Sequence, residues 1–127
     1  VVGQDVSAVT GACLVVVRDA FEAVGGLNER ELTVAFNDID LCLRLKKAGY
    51  RNYWTPYAVL CHHESASRGS DESVEQQRRF QSEIAYMKRT WDAEIRDDPA
   101  YSPNLTLLKE DYSFAFPPRV MKPWRRP

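Results

Sequence analysis

Two short stretches of the chain carry side chains able to take a proton, hold a cation or grip a phosphate. The first is Phe36-Asn37-Asp38-Ile39-Asp40-Leu41-Cys42-Leu43-Arg44-Leu45. Carboxylates two residues apart at the opening of a helix point in different directions, so Asp38 and Asp40 are expected to do different jobs. Asp38 falls at or just before the first helical residue. There it either caps the helix, worth about 1 kcal/mol, or projects into a cleft as a proton acceptor held by backbone N–H groups. Asp40 precedes Arg44 by four residues, so an ion pair along one helix face is its natural partnership. The second stretch is Cys61-His62-His63-Glu64-Ser65-Ala66-Ser67-Arg68-Gly69. After a strand, adjacent side chains alternate in direction, so His62 and His63 do not readily bind one metal together. Imidazole and carboxylate suit Zn²⁺ or Mn²⁺, but neither H-x-x-x-H nor H-E-x-x-H is present. That spacing argues against a metal-dependent hydrolase built on His62, His63 and Glu64. Arg68 offers a planar fork for a phosphate and Gly69 lets the backbone come close; a plain solvated loop is the alternative. Tyr50, Tyr53, Trp54 and Tyr57 suit either stacking on the C–H face of a sugar or packing within a sheet.

These residues need elements to hold them. Val6 to Val17 is rich in Val and Ala and predicts a strand ending in the buried run Cys13-Leu14-Val15-Val16-Val17. Arg18 to Val24 predicts a short helix stopped by Gly25-Gly26, which is a helix stop and not a G-x-G-x-x-G loop. Leu27 to Phe36 shows no sustained period and predicts an irregular connection. Asp38 to Ala48 predicts a helix, with Leu41, Leu45 and Ala48 on one stripe and Asp38 and Asp40 in the first turn. Gly49 supplies a left-handed cap. Arg51 to Trp54 and Ala58 to Cys61 predict two short β segments. A long amphipathic helix is expected from Asp71 to Ile95, its stripe formed by Val74, Phe80, Ile84, Met87, Trp91 and Ile95. Prolines from Pro99 onward predict a tail, residues 98–127, that wraps over a surface without a core of its own. Its last eleven residues carry Arg119, Lys122, Arg125 and Arg126 and no acid.

Seventeen basic and eighteen acidic residues leave a net charge of −1 over 127 residues, which argues against a general nucleic-acid binder. The run Cys13–Val17 is far short of the ~18 apolar residues that span a bilayer. Val1 to Thr10 lacks the basic start and apolar stretch of a secretory signal. Three cysteines, odd in number and without a C-x-x-C pair, indicate neither a disulfide framework nor a zinc knuckle. Cys13 and Cys42 are expected to be small buried hydrophobes. A cytoplasmic location is therefore expected, including the inner face of a membrane. Few strands, two sizeable helices and a long tail predict an incomplete α/β sheet, about half of a domain, and a chain starting at Val1 suits a piece of something longer.

The order of these pieces resembles the second half of family 2 glycosyltransferases, the inverting enzymes with the nucleotide-diphospho-sugar transferase (GT-A, Rossmann-like) fold. The likeness is carried by Val9-Thr10-Gly11-Ala12-Cys13, by Phe21-Glu22-Ala23-Val24-Gly25-Gly26-Leu27-Asn28-Glu29, by the stretches around Asp38 and His62, and by Ala48-Gly49-Tyr50-Arg51 and Thr55-Pro56-Tyr57-Ala58. Asp98-Pro99-Ala100-Tyr101-Ser102-Pro103-Asn104-Leu105 looks like the closing segment of members that build rhamnose-containing or O-antigen-type polysaccharides. The likeness covers roughly residues 8–108.

The resemblance implies that Asp38 is the catalytic base, taking a proton from an acceptor hydroxyl as it attacks the anomeric carbon. The family's motif is usually Glu-Asp, and Asn37 stands here in place of the Glu. It further implies a divalent cation, Mn²⁺ or Mg²⁺, on the donor diphosphate, with His62 or His63 as loose matches for a ligand. Arg68 is the candidate diphosphate contact, and Asp40 and Trp54 are carried with it as substrate-binding candidates. The implied partners are a nucleotide-sugar donor and a glycan or lipid-linked acceptor, with membrane-surface association through a parent protein. The family's donor-binding region lies N-terminal to all these motifs. Residues 1–97 are therefore expected to be the acceptor-side part, inactive alone and prone to self-association through exposed edges. A non-catalytic carbohydrate-binding or interaction module is the alternative.

Overall fold

The computed structural model describes residues 2–63, 73–109 and 111–120. Among them the regular elements are β1 (Gln4–Val6), α1 (Arg18–Ala23), α2 (Asn37–Lys47), β2 (Asn52–Trp54) and α3 (Val74–Arg96), with a 3-10 turn at Gly11–Cys13. The chain forms two compact units, Val1–Asp92 and Ala93–Pro127. It is a small mixed helix-and-strand structure.

Helix α2 organises the first unit because its sequence is apolar on two sides. Leu41 and Leu45 pack with Ala20 of α1, while Leu43 packs with Leu32, Met87 and Trp91. Each such leucine contributes roughly 1.5–3 kcal/mol by leaving water. Asp38 and Asp40 occupy the first turn and Arg44, Lys46 and Lys47 the last, so charge complements the dipole at both ends. Gly49, at φ +91°, takes the left-handed position that ends the helix. Ala48, expected on the buried stripe, is exposed.

The expected strand from Val6 to Val17 is not present. Only Gln4–Val6 is a strand, paired antiparallel with β2 in the register Gln4↔Trp54, Asp5↔Tyr53 and Val6↔Asn52. Leu14 and Val16 pack on the Ala20–Leu41–Leu45 cluster, whereas Val15 is 95% exposed. The alternation that suggests a strand is real, but strand propensity becomes a strand only where a partner supplies the ladder. Cys13, expected buried, lies exposed in the 3-10 turn, and Cys42 is buried as expected. Ala58 to Cys61 is not a strand either, and Val59 and Leu60 are exposed.

Helix α3 buries Glu83, Met87 and Trp91, and its backbone leaves helical geometry at Trp91 (φ −125°, ψ 23°). Val74, Phe80 and Ile95 of the expected stripe are exposed. In the second unit, Leu105 bridges antiparallel to Phe114, and Thr106 and Ala115 are buried. The proline-rich segment therefore has a small centre of its own. The Arg119 guanidinium ties it together, donating to the carbonyls of Leu105 (2.9 Å), Arg96 (3.0 Å) and Ser102 (3.2 Å) and lying 5.8 Å from the Tyr101 ring centroid.

Candidate functional site

Helix α2 opens without a side-chain cap. Its flanking residue is Phe36, in the left-handed conformation (φ 63°, ψ 5°), and Asp38 is the second helical residue. The N-cap alternative for Asp38 is thereby corrected. Its carboxylate accepts from the Gly11 amide through Oδ2 (2.7 Å) and from the Ile39 amide through Oδ1 (2.9 Å). A carboxylate offers about four lone-pair directions, so a partly exposed group with two amide donors still has capacity to accept a proton. The approach is tight at Gly11: a Cβ there would lie 3.3 Å from the Asp38 Cβ and 3.4 Å from Oδ2.

The residues flanking Asp38 form its framework. Asn37 accepts from the Asn28 amide (2.8 Å) and donates to the carbonyls of Leu32 and Asn28, stapling the irregular connection to the helix start. Asp40 is fully buried, with the expected Arg44 ion pair at 2.8 Å through Oδ2. Its Oδ1 accepts from Trp91 Nε1 (2.8 Å) and lies 3.4 Å from the Tyr86 hydroxyl. Arg44 also donates to the carbonyl of Val24, just before the Gly25-Gly26 turn. Asp40, carried as a substrate-binding candidate, has no exposed surface here, and its carboxylate joins Arg44 of its own helix to Trp91 and Tyr86 of α3. A cleft of about 660 Å³ lies beside this framework, with Gly26, Asn28, Arg44 and Tyr86 among its walls.

Glu83 is a residue that sequence reasoning missed. It is 1% exposed, and Oε1 accepts from the Val34 amide (2.9 Å) and the Thr33 hydroxyl (3.1 Å) while Oε2 accepts from the Ala35 amide (3.2 Å). The available signal was its spacing, one turn before Met87 and two before Trp91, on the buried side of α3.

The remaining candidates stand apart from this cluster. Trp54 ends β2 opposite Gln4 and is 41% exposed; Tyr53 and Tyr57 are also exposed. His62 and His63 are both exposed in irregular chain. Arg68 and Glu64 lie outside the described residues. Among the described residues no three His, Cys, Asp or Glu side chains are grouped as a metal site requires. Among them, too, no helix is long and apolar enough to cross a membrane.

Residues 2–96 match the family described as Glycosyl transferase family group 2. The uncharacterized protein y4gI of Sinorhizobium fredii is 58% identical over 90% of this chain and 12% of its own length. The O-antigen biosynthesis protein RfbC of Myxococcus xanthus is 41% identical over 81% of the chain and 8% of its own. An N-acetylglucosaminyl-diphospho-decaprenol L-rhamnosyltransferase of Mycobacterium tuberculosis is 44% identical over 49% of the chain and 20% of its own. The chain thus spans only a small part of these relatives. No solved structure matches it.

Proposed function

Given that the chain belongs to glycosyl transferase family group 2, we propose that it supplies the acceptor-side part of an inverting, GT-A-type transferase, with Asp38 as the base. The reaction moves a sugar from a nucleotide-sugar to a hydroxyl of a glycan or lipid-linked acceptor in polysaccharide synthesis. The new bond forms between the acceptor oxygen and the anomeric carbon as the bond from that carbon to the diphosphate breaks. The hydroxyl proton passes to Asp38 and the nucleoside diphosphate leaves with the bonding electrons. The observation that carries this reading is the Asp38 carboxylate, held by the Gly11 and Ile39 amides at the opening of a helix fixed on both sides. Fixed geometry matters because a base contributes only when it lies within hydrogen-bond reach of its proton. The relatives named for O-antigen biosynthesis and for rhamnosyl transfer to a lipid diphosphate support the substrate class.

The test is Asp38→Asn in the intact transferase. Transfer is expected to fall by about 10²–10⁴-fold, the usual contribution of a positioned base, with donor affinity unchanged. Near wild-type transfer would reject the assignment. A divalent cation on the donor diphosphate belongs to the same proposal. Among the described residues only His62 or His63 is put forward as a ligand, and unchanged activity after thorough chelation would remove the cation. Exposed Trp54 is the proposed sugar-stacking surface, and Trp54→Ala should raise acceptor KM while leaving donor KM alone.

A further inference from the structure

Glu83 is a buried ionisable side chain that the reaction as described does not use. Its carboxylate takes part in neither the Asp40–Arg44 nor the Asp5–Arg51 ion pair. All three of its hydrogen bonds go instead to consecutive residues of one segment, Thr33, Val34 and Ala35. Burying a carboxylate is costly unless its oxygens are satisfied. Here the satisfaction is local to the segment leading into Phe36, Asn37 and Asp38.

That segment needs outside support. Phe36 sits at φ 63°, a conformation that costs a non-glycine residue roughly 1–2 kcal/mol and persists only where surroundings over-determine it. Two side chains of α3 provide the surroundings. The Phe80 ring stacks on Phe36, centroids 5.6 Å apart, and Glu83, three residues further along the helix, fixes the three residues before it. The left-handed turn at Phe36 decides where α2 begins, and hence where the Asp38 carboxylate points relative to the Gly11 amide.

We propose that Glu83 is a positioning residue for the base: by binding the Thr33 hydroxyl and the Val34 and Ala35 amides, it holds the turn that aims Asp38. The inference rests on Asp38 being the base. Glutamine tests it well. In Glu83→Gln the side-chain carbonyl can replace Oε1, but the NH₂ would face the Ala35 N–H, donor against donor, and release the segment next to the turn.

The experiment compares Glu83→Gln, Thr33→Val and Asp38→Asn in the intact transferase, with hydrogen exchange followed at Val34 and Ala35. Glu83→Gln is expected to lower kcat by about ten- to a hundred-fold, the scale of a small misplacement of reacting groups. Donor KM should stay within about two-fold, since donor binding is not touched, and the Ala35 amide should exchange faster. A folded Glu83→Gln enzyme with wild-type kcat overturns the proposal, as does faster exchange without a kcat change. Should Glu83→Gln not fold, Thr33→Val decides, since it removes one hydroxyl and leaves both amide bonds. A kcat lowered a few-fold at unchanged KM supports the proposal, and wild-type kcat overturns it. Asp38→Asn separates the two readings. If it abolishes transfer while Glu83→Gln does not lower it, only the positioning role falls. If Asp38→Asn transfers normally, the base assignment falls and takes the positioning role with it.

Discussion

Asp40 takes bonds from three side chains on two helices: Arg44 of its own helix and Trp91 and Tyr86 of α3. Removing the charge leaves the Arg44 guanidinium, with its Nη2 already buried and unpartnered, without its counter-ion. Asp40→Asn should therefore destabilise by about 3 kcal/mol, the low end for breaking a buried pair, while Asp38→Asn should cost far less stability and far more activity. Chemical unfolding of both variants checks the contrast; equal stability losses would contradict it. The Asp40–Arg44 pair was legible because four-residue spacing on a helix dictates contact. Glu83 was not, because a single charged residue in an amphipathic pattern is assigned to solvent unless its acceptors and donors are known. Its partners are mainly backbone amides, which carry no sequence signal. Asn37 shows the same limit. Its departure from the family's usual Glu is visible in the sequence, but its three bonds to the Asn28–Leu32 connection are visible only in the fold.

At the scale of elements, the helices were legible and the strands largely were not. Helix α2 announces itself through Leu41, Leu45 and Gly49, all local signals. Leu14 to Val17 alternates like a strand, yet pairing depends on a neighbour that local sequence does not specify. Between Val9 and Leu14 the chain instead makes the turn that brings the Gly11 amide to Asp38. This close approach gives a separate prediction. The φ of Gly11 needs no glycine, so Gly11→Ala adds only a Cβ 3.3 Å from the Asp38 Cβ. Relief requires the turn or the carboxylate to move a few tenths of an ångström. We expect a stability loss of about 1 kcal/mol, as for mild overpacking, and a clear fall in transfer. Unaltered transfer in Gly11→Ala would show that the turn tolerates the displacement without disturbing the carboxylate.

For the molecule as a whole, the two-stranded sheet is closed at one flank by the exposed Asp5–Arg51 pair, two bonds at 3.0 and 2.8 Å. The hydrogen-bonded Arg51 guanidinium holds the Asp5 carboxyl below its ordinary value, and Asp5 in turn raises Arg51. A carboxyl depressed on folding adds stability above its unfolded pKa, about 4, and loses it as pH falls through the lower folded value. Arg51→Gln should therefore narrow the stability difference between neutral and acid pH. Because both partners are exposed, 1 M salt should erase that effect; persistence in high salt would contradict this account. The second unit carries a different kind of lock. Trypsin must draw an arginine side chain into its acidic specificity pocket and straighten the flanking backbone before it can cut. Arg119 has its guanidinium committed to three carbonyls, so the bond to Val120 should yield only as fast as that unit opens. An Arg119→Lys chain, whose ammonium cannot span those three acceptors in the same plane, should be cut at that bond sooner. Equal cleavage rates would mean the clasp offers no protection. The same three bonds thus make Arg119 a built-in reporter: the peptide ending at it is released only from chains in which the clasp has let go.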